Sequence, residues 1–169
     1  QVRFSYSRPV HDWAPRYNIA PTQDVIIVRR NGERHSAMVR WGLVPYGARD
    51  LKVGARMIDA RGESAADKAP FDKSFEKRRC LMIADGFYEW KRTGPKRVPI
   101  YFTLNGSRPF GFAGLWTSWK SPEGEWVPTC TIVTTSSNAL VETVHDRMPV
   151  ILSEDAEEIC WTTIRIPRT

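Results

Sequence analysis

Arg79-Cys80-Leu81-Met82-Ile83-Ala84-Asp85-Gly86-Phe87-Tyr88-Glu89-Trp90-Lys91 changes character at its centre. Cys80 to Ala84 is apolar, and a short apolar run bounded by a charge and a glycine fits a buried strand. Phe87-Tyr88-Glu89-Trp90 then sets one carboxylate among three aromatic rings. If those rings pack around it, Glu89 is poorly hydrated, and desolvation raises a carboxyl pKa. That prepares a general acid or base for neutral pH. The plainer alternative is an edge-strand Glu pointing at water, and the stretch alone does not choose between them.

Further strands and turns lie on both sides of this run. Upstream, Val25 to Arg30 is a β-branched strand, Asn31-Gly32 a two-residue hairpin signal, and His35 to Trp41 the return strand. Tyr17 to Gln23 reads as a loop, because Pro21 pushes its predecessor into extended geometry. Pro9 and Pro15 break any helix near the start. Gly47 to Ala55 reads as loop or short helix, and Met57 to Ser64 as an extended run that turns. Phe71 and Phe75 share one face of a short helix over 71–77. Downstream, Val98 to Leu104, Thr129 to Thr135 and Met148 to Leu152 read as strands. Asn105-Gly106 is a turn, and Phe110 to Trp119 is apolar and punctuated by glycine. Asn138 to Val144 allows one or two helical turns, and Ser153 opens a final helix as its cap. The pattern predicts an α+β fold: a single β-rich domain over residues 1–169, with a barrel-like antiparallel sheet core and a few short peripheral helices.

Composition narrows the classes of function. No apolar run reaches the roughly 20 residues of a membrane-spanning helix. Cys80, Cys130 and Cys160 are odd in number and lack CxxC spacing; with only three histidines in the chain, neither metal nor cofactor is expected. A reducing, cytoplasmic setting and a monomer are the simplest expectations. Net charge is +6, compatible with a polyanionic partner. Seven tryptophans accompany the 25 Lys and Arg, the mixture that single-stranded nucleic acid requires, since phosphates need charge and bases need stacking surfaces.

Three polar clusters are candidates for chemistry: Glu89 in its aromatic setting, His145-Asp146-Arg147 before a strand, and Asp59 with Arg61 and Glu63. A lone His before a strand is more often a structural hydrogen-bonder than a catalyst. Asp146 is expected not to assist it, because neighbours on an extended chain point to opposite faces. A Glu and a His brought together from distant strands can still share proton transfer. Cys80, inside the apolar run, reads as inert core.

The motifs Tyr17-Asn18-Ile19-Ala20-Pro21-Thr22-Gln23, Arg40-Trp41-Gly42-Leu43-Val44-Pro45, Met57-Ile58-Asp59-Ala60-Arg61 and Asp85-Gly86-Phe87-Tyr88-Glu89-Trp90 occur in order. Phe112-Ala113-Gly114-Leu115-Trp116, Thr131-Ile132-Val133-Thr134-Thr135 and His145-Asp146-Arg147-Met148-Pro149 follow them. Together they resemble the SOS response-associated peptidase family over about residues 16–153, a family that shields abasic sites in DNA. The resemblance implies a cysteine exposed at the N-terminus whose α-amine attacks the aldehyde of an abasic site in single-stranded DNA. Its thiol then closes the Schiff base to a thiazolidine. An α-amine of pKa about 7.7–8.0 is partly unprotonated at neutral pH, and one residue carrying amine and thiol makes the closure intramolecular. By the same resemblance Glu89 assists the proton transfers, His145 handles the sugar, and Asp59 stands at the active site. Arg61 and Arg147 hold phosphates; Asn18, Pro21, Trp41 and Thr134 line the DNA path.

Two departures stand out. Gln1-Val2-Arg3-Phe4 only partly echoes the family's Cys-Gly-Arg-Phe start, so a Cys-Gly-Arg element is expected upstream of Gln1. Asp59 stands where the family has asparagine; an ionised Asp only accepts hydrogen bonds and repels phosphate. The other readings are an autoprocessing thiol peptidase and, if the cysteine is absent, a non-covalent single-stranded DNA-binding module.

Overall fold

The chain forms ten strands and two short α-helices in the computed structural model, which describes residues 14–104, 106 and 108–161. Gln1 to Phe4, Pro9 and Asn105 lie outside the described residues. In chain order the strands are β1 (Asp24–Asn31), β2 (Glu33–Trp41), β3 (Asp59–Arg61), β4 (Arg79–Ala84) and β5 (Gly86–Thr93). They continue with β6 (Lys96–Thr103), β7 (Phe110–Lys120), β8 (Trp126–Ser136), β9 (Arg147–Pro149) and β10 (Ile151–Leu152). Helix α1 is Asp72–Lys77 and α2 is Glu154–Trp161, with 3-10 turns at Leu51–Arg56 and Val141–Thr143.

Five strands close on themselves. β7 pairs with β4, β4 with β1, β1 with β2, and β8 joins β2 back to β7. This is the α+β, barrel-like core with few peripheral helices that the strand pattern predicts. Most pairings are antiparallel, but the closing seam between β2 and β8 is parallel and only two residue pairs long, Arg40 with Thr129 and Trp41 with Cys130. Sequence periodicity carries no information on strand direction, so the parallel seam was not readable.

Alternation along each strand sorts the side chains to two faces. Val25, Ile27, Val39, Cys80, Met82, Phe110, Phe112, Cys130 and Ile132 form one buried cluster inside the closed sheet. Leu43, Ala60, Ala65, Phe71, Leu115 and Val133 form a second on its outer side, with Phe75 packed beside Phe71. The run after β2 is pinned there by Gly42 N–H to the Cys130 carbonyl at 2.8 Å and Val44 N–H to Thr129 Oγ1 at 3.0 Å. Gly42 has φ +128°, and a Cβ built on it would sit 2.5 Å from the Gly54 carbonyl oxygen, so two backbones meet where no side chain fits.

Two expected elements differ. The run 148–152 is two strands, because Val150 accepts from Ala113 N–H and donates to the Val133 carbonyl, crossing from β8 to β7. Asp85-Gly86 does more than interrupt an apolar run. It takes the chain off the barrel into a separate ribbon, β5 paired with β6 over Gly86–Thr93 and Lys96–Thr103.

Candidate functional site

β8 changes both of its neighbours part-way along. Its first half lies between β2 and β7; its second half pairs with β3 on one edge and β9 on the other. Where the barrel splits in this way, Asp59 pairs with Ile132, Arg61 with Thr134, and Arg147 with Ser136. The β5–β6 ribbon brings Glu89 to the same place. Phe87, two residues earlier on the same ribbon face, packs edge-on to Phe112 at 5.8 Å and against Phe102 at 5.3 Å. These rings anchor the ribbon face that carries Glu89 to the barrel core.

Glu89, Asp59 and His145 therefore come from three distant segments and feel one another electrostatically. Burial raises the Glu89 carboxyl above the ordinary glutamate range, and Asp59 and Asp146 push it further the same way. His145 and hydrogen bonding from the Trp90 backbone oppose that rise. The Asp59 side chain reaches solvent, yet the protein crowding its carboxyl raises its pKa too, against the pull of His145 and Arg147. The immediate sequence neighbours of Glu89 do not pack around it. Tyr88 and Trp90 stay 46% and 53% exposed because strand alternation turns them to the opposite face. Phe87 on Glu89's own strand, and Ile100 and Phe102 across the ribbon, share its face.

His145 is half-exposed and oriented by its own chain. The Arg147 backbone places both its N–H and its carbonyl oxygen against Nδ1, at 3.0 and 3.2 Å, which fixes the orientation of the ring. Asp146 corrects an expectation: its Oδ1 lies 3.3 Å from His145 Nδ1. The chain bends at Asp146 before β9 begins, so the alternation of an extended strand does not apply.

Arg147 is engaged within the protein. Its two terminal nitrogens donate to Glu63 Oε1 and Oε2 at 2.8 and 2.9 Å, and Nη2 also donates to the Thr134 carbonyl and Oγ1 at 2.9 and 3.1 Å. Thr134, expected on the DNA path, is buried beneath this contact. Arg61 is exposed, with its charge near Glu63. Glu63 is the member of the third cluster for which sequence reasoning had no role; its partner lies 84 residues away. The guanidinium holds the Glu63 carboxyl down at about 2. A depressed acid keeps its pair intact above the ordinary value of 4.5 and loses it as pH falls through the folded value. Above about pH 2, Arg147 guanidinium protons observed by NMR are expected to exchange more slowly in the wild type than in Glu63→Ala, where Thr134 alone holds Nη2, and the two proteins converge as pH falls through that value. Identical exchange in the two proteins would remove this pair from the site's architecture.

Trp41, expected on the DNA path, is half-buried. Its indole N–H donates to the Ile58 carbonyl at 3.0 Å and its ring packs on the barrel core. What it does position is the loop bearing Asn18 and Pro21, both exposed. Thr22 N–H donates to the Trp41 carbonyl at 2.8 Å and Trp41 N–H to the Gln23 carbonyl at 2.9 Å, while Gln23 Oε1 accepts from Ala20 N–H and Arg16. Thr22 holds φ 73°, a left-handed conformation unusual for a β-branched residue.

The described thiols offer no nucleophile. Cys80 and Cys130 are buried in the barrel and their pKa values are raised, while burial pushes Cys160 up to about 11. Among the described residues no group of three or more His, Cys, Asp or Glu is arranged to hold a metal ion, and no helix is long and apolar enough to cross a membrane.

Comparison with known proteins bears on this arrangement directly. YoqW of Bacillus subtilis (strain 168), an abasic site processing protein, is 44% identical over 152 residues, 89% of this chain and 68% of YoqW. YobE, an abasic site processing protein of the same strain, is 43% identical over 149 residues, 87% of this chain and 68% of YobE. A crystal structure of a protein from Bacteroides thetaiotaomicron superposes with a TM-score of 0.78 at 26% identity, covering 86% of this chain and 66% of that one. The chain thus spans about two thirds of the length of these relatives. The family model for SOS response associated peptidase (SRAP) matches residues 1–164, a span that takes in every segment converging on Glu89. With that match along nearly its whole length and relatives more than 40% identical over most of it, the chain belongs to the SRAP family.

Proposed function

We propose that this protein processes abasic sites in single-stranded DNA, using Glu89, His145 and Asp59 to move protons around an aldehyde that becomes covalently attached to an N-terminal cysteine. The convergence of those three titratable groups from β5, the β9 approach and β3 carries the reading. The abasic site processing relatives support its substrate. The α-amine adds to the sugar aldehyde, the carbinolamine loses water to give a Schiff base, and the thiol adds to the imine carbon, its proton passing to nitrogen. Glu89 suits both proton steps, because a carboxyl raised by burial is a stronger base when ionised and stays an acid to higher pH. His145, held at Nδ1 by the Arg147 backbone, presents Nε2 to the sugar oxygen that must gain or lose a proton as the ring opens. Exposed Arg61, Asn18 and Pro21 line the strand's approach. Arg147 contributes by holding β9 and His145 in place, and reaches phosphate only if Glu63 yields it.

The test is a denaturing gel of natural-length protein, its N-terminal processing confirmed by mass, after incubation with single-stranded DNA bearing one abasic site. A shifted band is expected, and its absence overturns the covalent reading. A non-covalent single-stranded DNA-binding role is the second reading, favoured by the basic charge and exposed rings. Its mark is binding that falls steeply with salt and never survives denaturant.

Asp59 makes a separate prediction. Its charge raises the Glu89 pKa, so Asp59→Asn lowers it and moves the acidic limb of the cross-linking rate to lower pH. Loss of one negative charge beside the DNA path also tightens binding, by up to about fivefold at low salt, from roughly 1 kcal/mol for a charge pair at contact in water. A pH–rate profile that does not move would show that Asp59 and Glu89 do not share a field.

A further inference from the structure

The β5–β6 ribbon has a second face, which the site does not use. Period-two alternation places Tyr88, Trp90 and Arg92 together on it, opposite Tyr101, Pro99 and Arg97. From the barrel outwards these make three rungs: Tyr88 with Tyr101, Trp90 with Pro99, and Arg92 with Arg97. Successive rungs lie roughly 6.8 Å apart, two residues at about 3.4 Å each. The three rings are 46%, 53% and 46% exposed for Tyr88, Trp90 and Tyr101. The two tyrosines are held in place: Tyr88 and Tyr101 pack at 4.9 Å, and the Tyr101 hydroxyl donates to Asp85 Oδ1 at 3.3 Å. The Tyr101 ring also lies over Gly86, where any Cβ would collide with it.

Beyond Glu89, charge on the ribbon is one-sided. Lys91, Arg92, Lys96 and Arg97 carry positive charge, and residues 90–104 contain no acid. Arg92 and Arg97 face each other across the ribbon. Like charges directly opposite are destabilising unless something neutralises them, so the tip of the ribbon is built for an anion. Ordered aromatic rungs leading to an arginine rung match a chain that alternates flat bases with phosphates. An acidic peptide would use the arginines and leave the rings without a purpose.

We propose that this outer face binds single-stranded nucleic acid flanking the lesion, with bases stacked on Tyr88, Tyr101 and Trp90 and a phosphate between Arg92 and Arg97. This rests on the reading that the strand entering the Glu89 site is single-stranded DNA, and extends its path over the back of the same ribbon.

Fluorescence anisotropy with undamaged oligonucleotides tests the surface without involving abasic chemistry. Lengths of about 4 and about 16 nucleotides span the range of single-strand sites. Trp90→Ala is expected to weaken binding of the longer oligonucleotide by at least about fivefold, the lower end for one stacked base, and Trp90→Tyr to restore it. The Arg92→Glu/Arg97→Glu variant is expected to flatten the slope of log affinity against log salt by about 0.7, the value for the one single-strand phosphate contact the pair shares. All these side chains are exposed on a peripheral ribbon, and a thermal melt at the wild-type temperature verifies each variant's fold. Wild-type affinity and wild-type salt slope in both variants would overturn the proposal, including the case where a protein partner uses this face. Cross-linking of an abasic oligonucleotide by the wild-type protein, run in parallel, reports separately on the reading it rests on.

Discussion

Glu89→Gln lowers the initial rate of abasic-site cross-linking by about 10²–10⁴-fold, the usual contribution of a positioned general acid–base. Gln keeps the size of the side chain and removes a negative charge, so affinity for undamaged single-stranded DNA does not fall below the wild-type value. The wild-type rate rises with pH through the Glu89 pKa, which burial has lifted above 4.5. In the variant that limb disappears. Stability runs the other way. An acid whose folded pKa is raised disfavours the folded state once pH exceeds that pKa, because its charge is better solvated in the unfolded chain. Glu89→Gln therefore melts slightly higher than wild type at neutral pH. The difference vanishes below the ordinary carboxyl range, where both states hold the proton. A variant that cross-links at the wild-type rate would show that Glu89 is only a packed carboxylate.

Phe110→Ala costs about 3–5 kcal/mol of folding stability. Phe110 is fully buried at the start of β7, its ring edge-on to Phe112 at 5.1 Å. A loss of that size is about a fifth or more of a typical total, and at roughly 2–4 °C per kcal/mol for a chain of this length it lowers the melting temperature by about 6–20 °C. Leu140, 67% exposed, supplies the control, and its replacement by Ala stays within about 0.5 kcal/mol. Chemical denaturation of both variants checks the contrast, and equal midpoints would place Phe110 outside the core. Function is expected to suffer beyond stability, because Phe110 touches Phe112 and Phe112 touches Phe87. That chain of rings joins the barrel to the ribbon that carries Glu89.

Legibility differed from one segment to the next. β1 and β2 are visible in the sequence because Asn31-Gly32 marks the turn and the flanking residues the strands, although the chain turns on Gly32 alone, with Asn31 opposite Glu33, in place of the two-residue loop expected. The buried strand Cys80 to Ala84 is visible because apolar character and length suffice. Asp146 was misjudged because the rule of alternation presumed a strand that begins only at Arg147. Tyr88 and Trp90 were grouped with Glu89 because sequence adjacency looks like proximity, whereas a strand sends adjacent residues apart. Glu63 stayed without a role because its partner, Arg147, is distant in the chain and near only through the shared neighbour β8.

Residue order by itself determined the elements, their approximate ends, the apolar faces, the basic charge and the family motifs, since each depends on local composition or on a period of two. Tertiary structure alone decided that β8 exchanges both neighbours, that the seam between β2 and β8 is parallel, and that Asp59, Glu89 and His145 share one electrostatic field. It also decided that Arg147 is already occupied by Glu63 and Thr134. Those outcomes depend on contacts between residues far apart in the chain. Hydrogen bonding, desolvation and Coulomb interaction act on distance in space, which a period of two along one strand does not encode.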